Sequence, residues 1–99
     1  MSVKSAKIAG IIYAKEVFVD NTVTFPDFVF EEEYPLMSLQ EVEQFIKENK
    51  HLPDVPYAAE VEENGINLGE MNAILIQKVE ELTLYVLDLQ KQIHELKTK

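Results

Sequence analysis

Residues 68–96 read LGEMNAILIQKVEELTLYVLDLQKQIHEL, and the spacing within this stretch decides the fold. Leu68, Leu75, Leu82, Leu89 and Leu96 recur at every seventh position, and Asn72, Val79, Val86 and Ile93 stand four places after the first four of them. This is a heptad with Leu at the d positions and mostly β-branched residues at the a positions. It is sustained for about four repeats, the signature of a coiled coil. Ile74, Ile76, Leu84, Tyr85 and Leu87 widen the apolar surface, so the helix should be covered on more than one side. Its first half is expected to pack against the N-terminal strands and the first helix. Its second half, where Gln90, Gln92 and Lys97 surround the seam, should project. The expected oligomer interface is Leu68, Asn72, Leu75, Val79, Leu82, Tyr85, Val86, Leu89, Ile93 and Leu96, with the polar Asn72 as a register device. Val and Ile at a with Leu at d favour two parallel helices, whereas the broad surface around Tyr85 favours three.

Upstream, Ser38 followed by Glu41 has the spacing of a capping box, and Met37 before the cap can staple onto Val42. Leu39, Val42, Phe45 and Ile46 form one apolar helical face, which should end at Asn49-Lys50. His51-Leu52-Pro53-Asp54-Val55-Pro56 reads as an ordered, extended connector, because each Pro fixes its own φ and biases its predecessor away from the helix. Ala58 to Glu63 suits a short helix stopped by Asn64-Gly65, with a left-handed Gly65, and Asn67 can cap the next one.

The first third is strand-like. Ile11, Ile12, Tyr13, Val17, Phe18, Val19, Val23, Thr24 and Phe25 are β-branched or aromatic, and Asp20-Asn21 provides turn chemistry between them. Phe28-Val29-Phe30 continues the pattern until Glu31, Glu32 and Glu33 end it. Two or three short strands are expected. The predicted fold is α+β. Residues 1–37 form a β-rich portion, 38–66 a short helix and Pro-rich connector, and 67–99 the helix of a parallel, trimeric coiled coil. The three parts make one intertwined domain.

Composition narrows the function. A chain of 99 residues supplies one modest core, which oligomerisation would supplement. A net charge of −9 with scattered basic residues argues against nucleic acid and against anionic membrane surfaces as partners. No Cys is present, so a disulfide framework, a thiolate nucleophile and a Cys-based zinc site are excluded. Ile8 to Ala14 is a short apolar run leading into Lys15-Glu16, better read as a buried strand than a signal peptide. His51 and His94 have no second ligand at metal spacing, and His51 is expected to orient the connector by a hydrogen bond. The acidic groups Glu31–Glu33 and Glu60, Glu62 and Glu63 read as solvated faces, and Ser38 is explained as a cap. Gly10, Gly65 and Gly69 are isolated and form no phosphate loop. No catalytic, cofactor-binding or metal-binding residue is assigned, and the chain reads as a non-enzyme.

Several strings carry a more specific likeness. Phe28-Val29-Phe30, Tyr34, Leu36, Ser38-Leu39, Glu41-Val42-Glu43, Ile46, His51-Leu52-Pro53 and Val55-Pro56 belong to it, as does Ala14-Lys15-Glu16-Val17. So do Glu60-Val61, Gly65, Leu68-Gly69-Glu70-Met71-Asn72 and Lys78-Val79-Glu80-Glu81-Leu82-Thr83-Leu84-Tyr85. Together they resemble the C-terminal domain of tail-fibre-like proteins of Bacteroidetes and their phages, and distantly the intramolecular chaperone domains of endosialidases. The resemblance covers nearly the whole chain from about Ile8 onward. It implies a homotrimeric C-terminal module that registers a β-rich shaft, on an extracellular fibre or a virion. Such chaperones release themselves through a Ser with a downstream Lys. Ser2 and Ser5 have Lys4 and Lys7 beside them, but the accompanying Ser-Asp motif is absent, which places self-cleavage in doubt. The alternative is a receptor-binding fibre tip that recognises a cell-surface glycan or protein.

Overall fold

The computed structural model describes residues 4–20 and 24–98. Three helices follow one another in the chain: α1 (Leu39–Asn49), α2 (Ala58–Asn64) and α3 (Leu68–Lys97). Among the described residues there is no strand. The α+β expectation is therefore corrected: the structured part of the chain is helical. Ile11, Ile12, Tyr13, Val17 and Phe18 have the side chains of a strand, yet all lie exposed on an irregular arm. A strand exists only when a neighbour completes its ladder, and no other described segment runs beside this one as a ladder partner. Asn21, Val23 and Ser2, which also figured in the sequence reading, lie outside the described residues.

Phe28-Val29-Phe30 is likewise not a strand. The Glu31 N–H donates to the Phe28 carbonyl at 3.2 Å, and the Tyr34 N–H to the Glu31 carbonyl at 3.1 Å, so two turns follow in succession. These turns tuck in Val29, which at 1% exposure is the one fully buried large side chain among the described residues.

α1 begins as its sequence dictates. The Glu41 N–H donates to Ser38 Oγ (3.1 Å), and the Ser38 N–H donates back to Glu41 Oε1 (3.0 Å), completing the capping box. The Ser38 backbone N–H first, and the Ser38 hydroxyl after it, hold the Glu41 carboxyl below its ordinary 4.5. Lys50 closes the helix in the left-handed region (φ 62°), and its N–H reaches the Ile46 carbonyl at 2.8 Å.

The connector turns rather than extends. The Val55 N–H donates to the Leu52 carbonyl at 3.3 Å, with Pro53 and a positive-φ Asp54 (φ 66°) between them, the residue order a type II turn requires. His51 stands at its start between two rings, edge-on to Phe45 (5.4 Å) and stacked on Tyr57 (5.7 Å). Its Nδ1 lies 2.8 Å from the Leu52 carbonyl, and a carbonyl only accepts, so Nδ1 carries the proton. α2 stops at Gly65 with φ 75° and ψ −172°. That is the extended positive-φ region open essentially to Gly alone, not the left-handed helical region expected.

α3 starts at Asn67, whose Oδ1 accepts from the Glu70 N–H at 3.0 Å. At ~1.5 Å per residue it is about 45 Å long, and it dominates a molecule measuring 66 × 29 × 26 Å. The radius of gyration is 18.5 Å, against about 13 Å for a compact domain of this length. The accessible surface is 9138 Å², whereas a compact monomer of 11.4 kDa exposes roughly 5,800 Å². The difference is on the scale that obligate interfaces cover.

Candidate assembly interface

α3 has two faces with different tasks. Its first half turns Met71, Ala73, Ile74, Gln77, Lys78, Glu80, Glu81, Leu84 and Tyr85 toward the rest of the chain, and all of these are half-buried. From Val86 onward every described residue is exposed. The sequence predicts a docked first half and a projecting second half, but the docking partners are α1, the turns around Tyr34 and the connector, not strands.

A polar cluster fastens the docked face. The Tyr34 hydroxyl donates to Glu81 Oε2 and accepts from Gln77 Nε2 at 3.0 Å. Lys78 Nζ bonds the other Glu81 oxygen at 3.0 Å and reaches Asp54 Oδ2 at 3.4 Å, which ties the connector turn to the helix. One turn further, the Tyr85 hydroxyl donates to the Met37 carbonyl at 2.7 Å. Burial first, and the Glu81 carboxylate after it, raise both phenols above their ordinary 10.0. Between this cluster and α1 lies an apolar groove of about 180 Å³, walled by Met37, Leu39, Val42, Leu52, Leu82 and Tyr85.

The expected interface residues divide accordingly. Leu68, Leu75, Val79, Leu82, Val86, Leu89, Ile93 and Leu96 are all exposed, in one line along the helix. Asn72 is exposed too and stands with Gly69 beside Val17 to Asp20 of the N-terminal arm. Tyr85 does not belong to that line, since its ring and hydroxyl are engaged within the chain. Ile74 and Leu84 also turn inward, so most of the breadth that favoured three helices is taken up by the chain itself. What remains open is the a and d seam with its e-position flank, Ile76, Thr83 and Gln90.

The sequence reading missed the Tyr34–Gln77–Lys78–Glu81 cluster and the groove beside it. A signal existed: Gln77 and Lys78 stand four and three residues before Glu81, so both neighbour its carboxylate on the helix surface. Their partners Tyr34 and Asp54, however, lie more than twenty residues away, beyond the reach of any periodicity.

Among the described residues no three His, Asp or Glu side chains gather as metal ligands would, and no helix is long and apolar enough to cross a membrane. Compared with family models, curated proteins and solved structures, the chain matches none.

Proposed function

We propose that this chain is a non-enzymatic assembly module, in which copies associate through the α3 seam and bring an attached fibre into register. The observation that supports the reading is the unbroken line of exposed Leu, Val and Ile side chains from Leu75 to Leu96, on a helix whose first half has its other face occupied by the chain and whose second half projects bare. Exposed apolar lines of this length mark contact surfaces, because covering them removes a large area from water. Three copies is the number carried over from the likeness to tail-fibre domains, and with it comes the role of an intramolecular chaperone. Chains joined at one end have a high effective concentration, so the entropy lost in starting a shaft is much reduced. The host, phage or bacterial, is carried by the same likeness.

Leu89→Asp tests the reading. Leu89 lies on the projecting part of α3, so the body of the chain keeps its own contacts in the variant. Loss of the oligomer with helicity of the body retained is the expected result. An unchanged oligomer would overturn the proposal.

A second reading, a receptor-binding tip, draws support from Tyr13 and Phe18, which are 90% and 93% exposed on the N-terminal arm. Stacking on sugar rings suits such side chains. Glycan-array binding that Tyr13→Ala and Phe18→Ala abolish together would favour it over registration alone.

A further inference from the structure

The two flanks of the α3 seam are unlike each other. On the g side, Lys78 and Tyr85 are overhung by the chain's own body and border the apolar groove. On the e side, Ile76, Thr83 and Gln90 are bare, and just outside them Leu87 is 47% exposed with no contact that explains it. In a parallel coiled coil the g flank of one helix meets the e flank of the next. In an antiparallel one, like flanks meet. Antiparallel pairing would push two bodies together on one side and set the two bare flanks against each other on the other. Parallel pairing sets each body against a bare flank.

We infer that the groove beside Leu82 and Tyr85 receives Leu87 from a neighbouring copy of the same chain. This inference rests on the proposed self-association through α3. In a parallel coil aligned in register, a g residue faces the e residue five places later on the neighbour. Lys78 then faces Thr83 of the neighbouring copy, and Tyr85 faces Gln90 of the neighbouring copy. Leu87 of that copy stands between these two pairs, opposite the groove that Lys78 and Tyr85 bound. Met71 faces Ile76 of the neighbouring copy, an apolar pair, and none of these three facing pairs sets like charges together. The occupant is a second copy because the exposed area calls for one. A chain of 11.4 kDa showing 9138 Å² leaves far more uncovered than a compact monomer does. The contact also gives the body a role in assembly, since the groove wall from α1 and the connector would grip the neighbour's helix rather than merely cap its own.

Cross-linking tests this directly, because the chain contains no Cys of its own. Full-length Leu39→Cys and Leu87→Cys chains are mixed, exchanged through mild denaturant and oxidised, with Leu89→Cys as a seam control. The expected result is a disulfide between Leu39→Cys and Leu87→Cys chains, together with self-linking of Leu89→Cys. Alongside this, Leu87→Ala should weaken association about tenfold while leaving monomer helicity unchanged. Self-linking of Leu89→Cys without the mixed disulfide would overturn the groove contact and leave seam association standing. A wild-type chain that stays monomeric would overturn both.

Discussion

The Tyr85 hydroxyl donates to the Met37 carbonyl across 2.7 Å, joining the middle of the long helix to the residue that precedes the α1 cap. The two residues are 48 positions apart, and the bond fixes how α1 sits along α3. Removing the hydroxyl in Tyr85→Phe keeps the ring in place but leaves a half-buried carbonyl without its donor. A loss of about 1 kcal/mol in stability is expected from chemical denaturation. The oligomer mass should not change, because the lost hydroxyl bonds within the chain and the ring that borders the groove stays in place.

Tyr85 and Tyr34 also couple the fold to alkaline pH. Both phenols are raised above 10.0 in the folded chain, chiefly by burial. The folded state therefore holds these protons more tightly than the unfolded state does. Their contribution is complete below pH 10 and is lost as pH rises through the folded values. Thermal melts above pH 10 should show a fall in stability that is shallower in the Tyr34→Phe/Tyr85→Phe chain.

Glu41 acts at the opposite limit. Its carboxyl is held below 4.5 by the Ser38 backbone N–H and then by the Ser38 hydroxyl, so its contribution is present above pH 4.5 and is lost as pH falls through the folded value. α1 should loosen in that acid window, as followed by the amide signals of residues 39–42. Glu41→Gln keeps an acceptor for the Ser38 N–H without an ionisable group, and should remove the acid dependence of those signals.

The junction between α2 and α3 depends on one backbone conformation. Gly65 stands at φ 75°, ψ −172°, and an added Cβ would meet no atom within 4 Å. Any cost of Gly65→Ala is therefore backbone strain, expected at about 1–3 kcal/mol. A melting temperature equal to wild type would show that the junction adopts another conformation in solution.

The helices were legible in the sequence because their signals are local. The Ser38–Glu41 box, the Asn64-Gly65 stop and the seven-residue recurrence from Leu68 to Leu96 each act within a few turns, and each is found where its spacing put it. The N-terminal third misled because β-branched composition reports only that residues suit a sheet, not that a partner strand is present. Ile11 to Val19 met no such partner, and Phe28 to Phe30 folded into turns instead. Tyr85 shows the other weakness of pattern reading. It widens the apolar surface of α3 next to Leu82 and Val86, yet its phenol finds an acceptor 48 residues upstream, and that bond turns it inward.

Self-association is the claim on which the functional account depends, and solution mass tests it most directly. Multi-angle light scattering across a dilution series of the wild-type chain should give three times the 11.4 kDa chain mass at every concentration. A mass of 11.4 kDa in a well-folded sample would contradict the account, because Leu75, Val79, Leu82, Val86 and Leu89 would then face water for no structural reason.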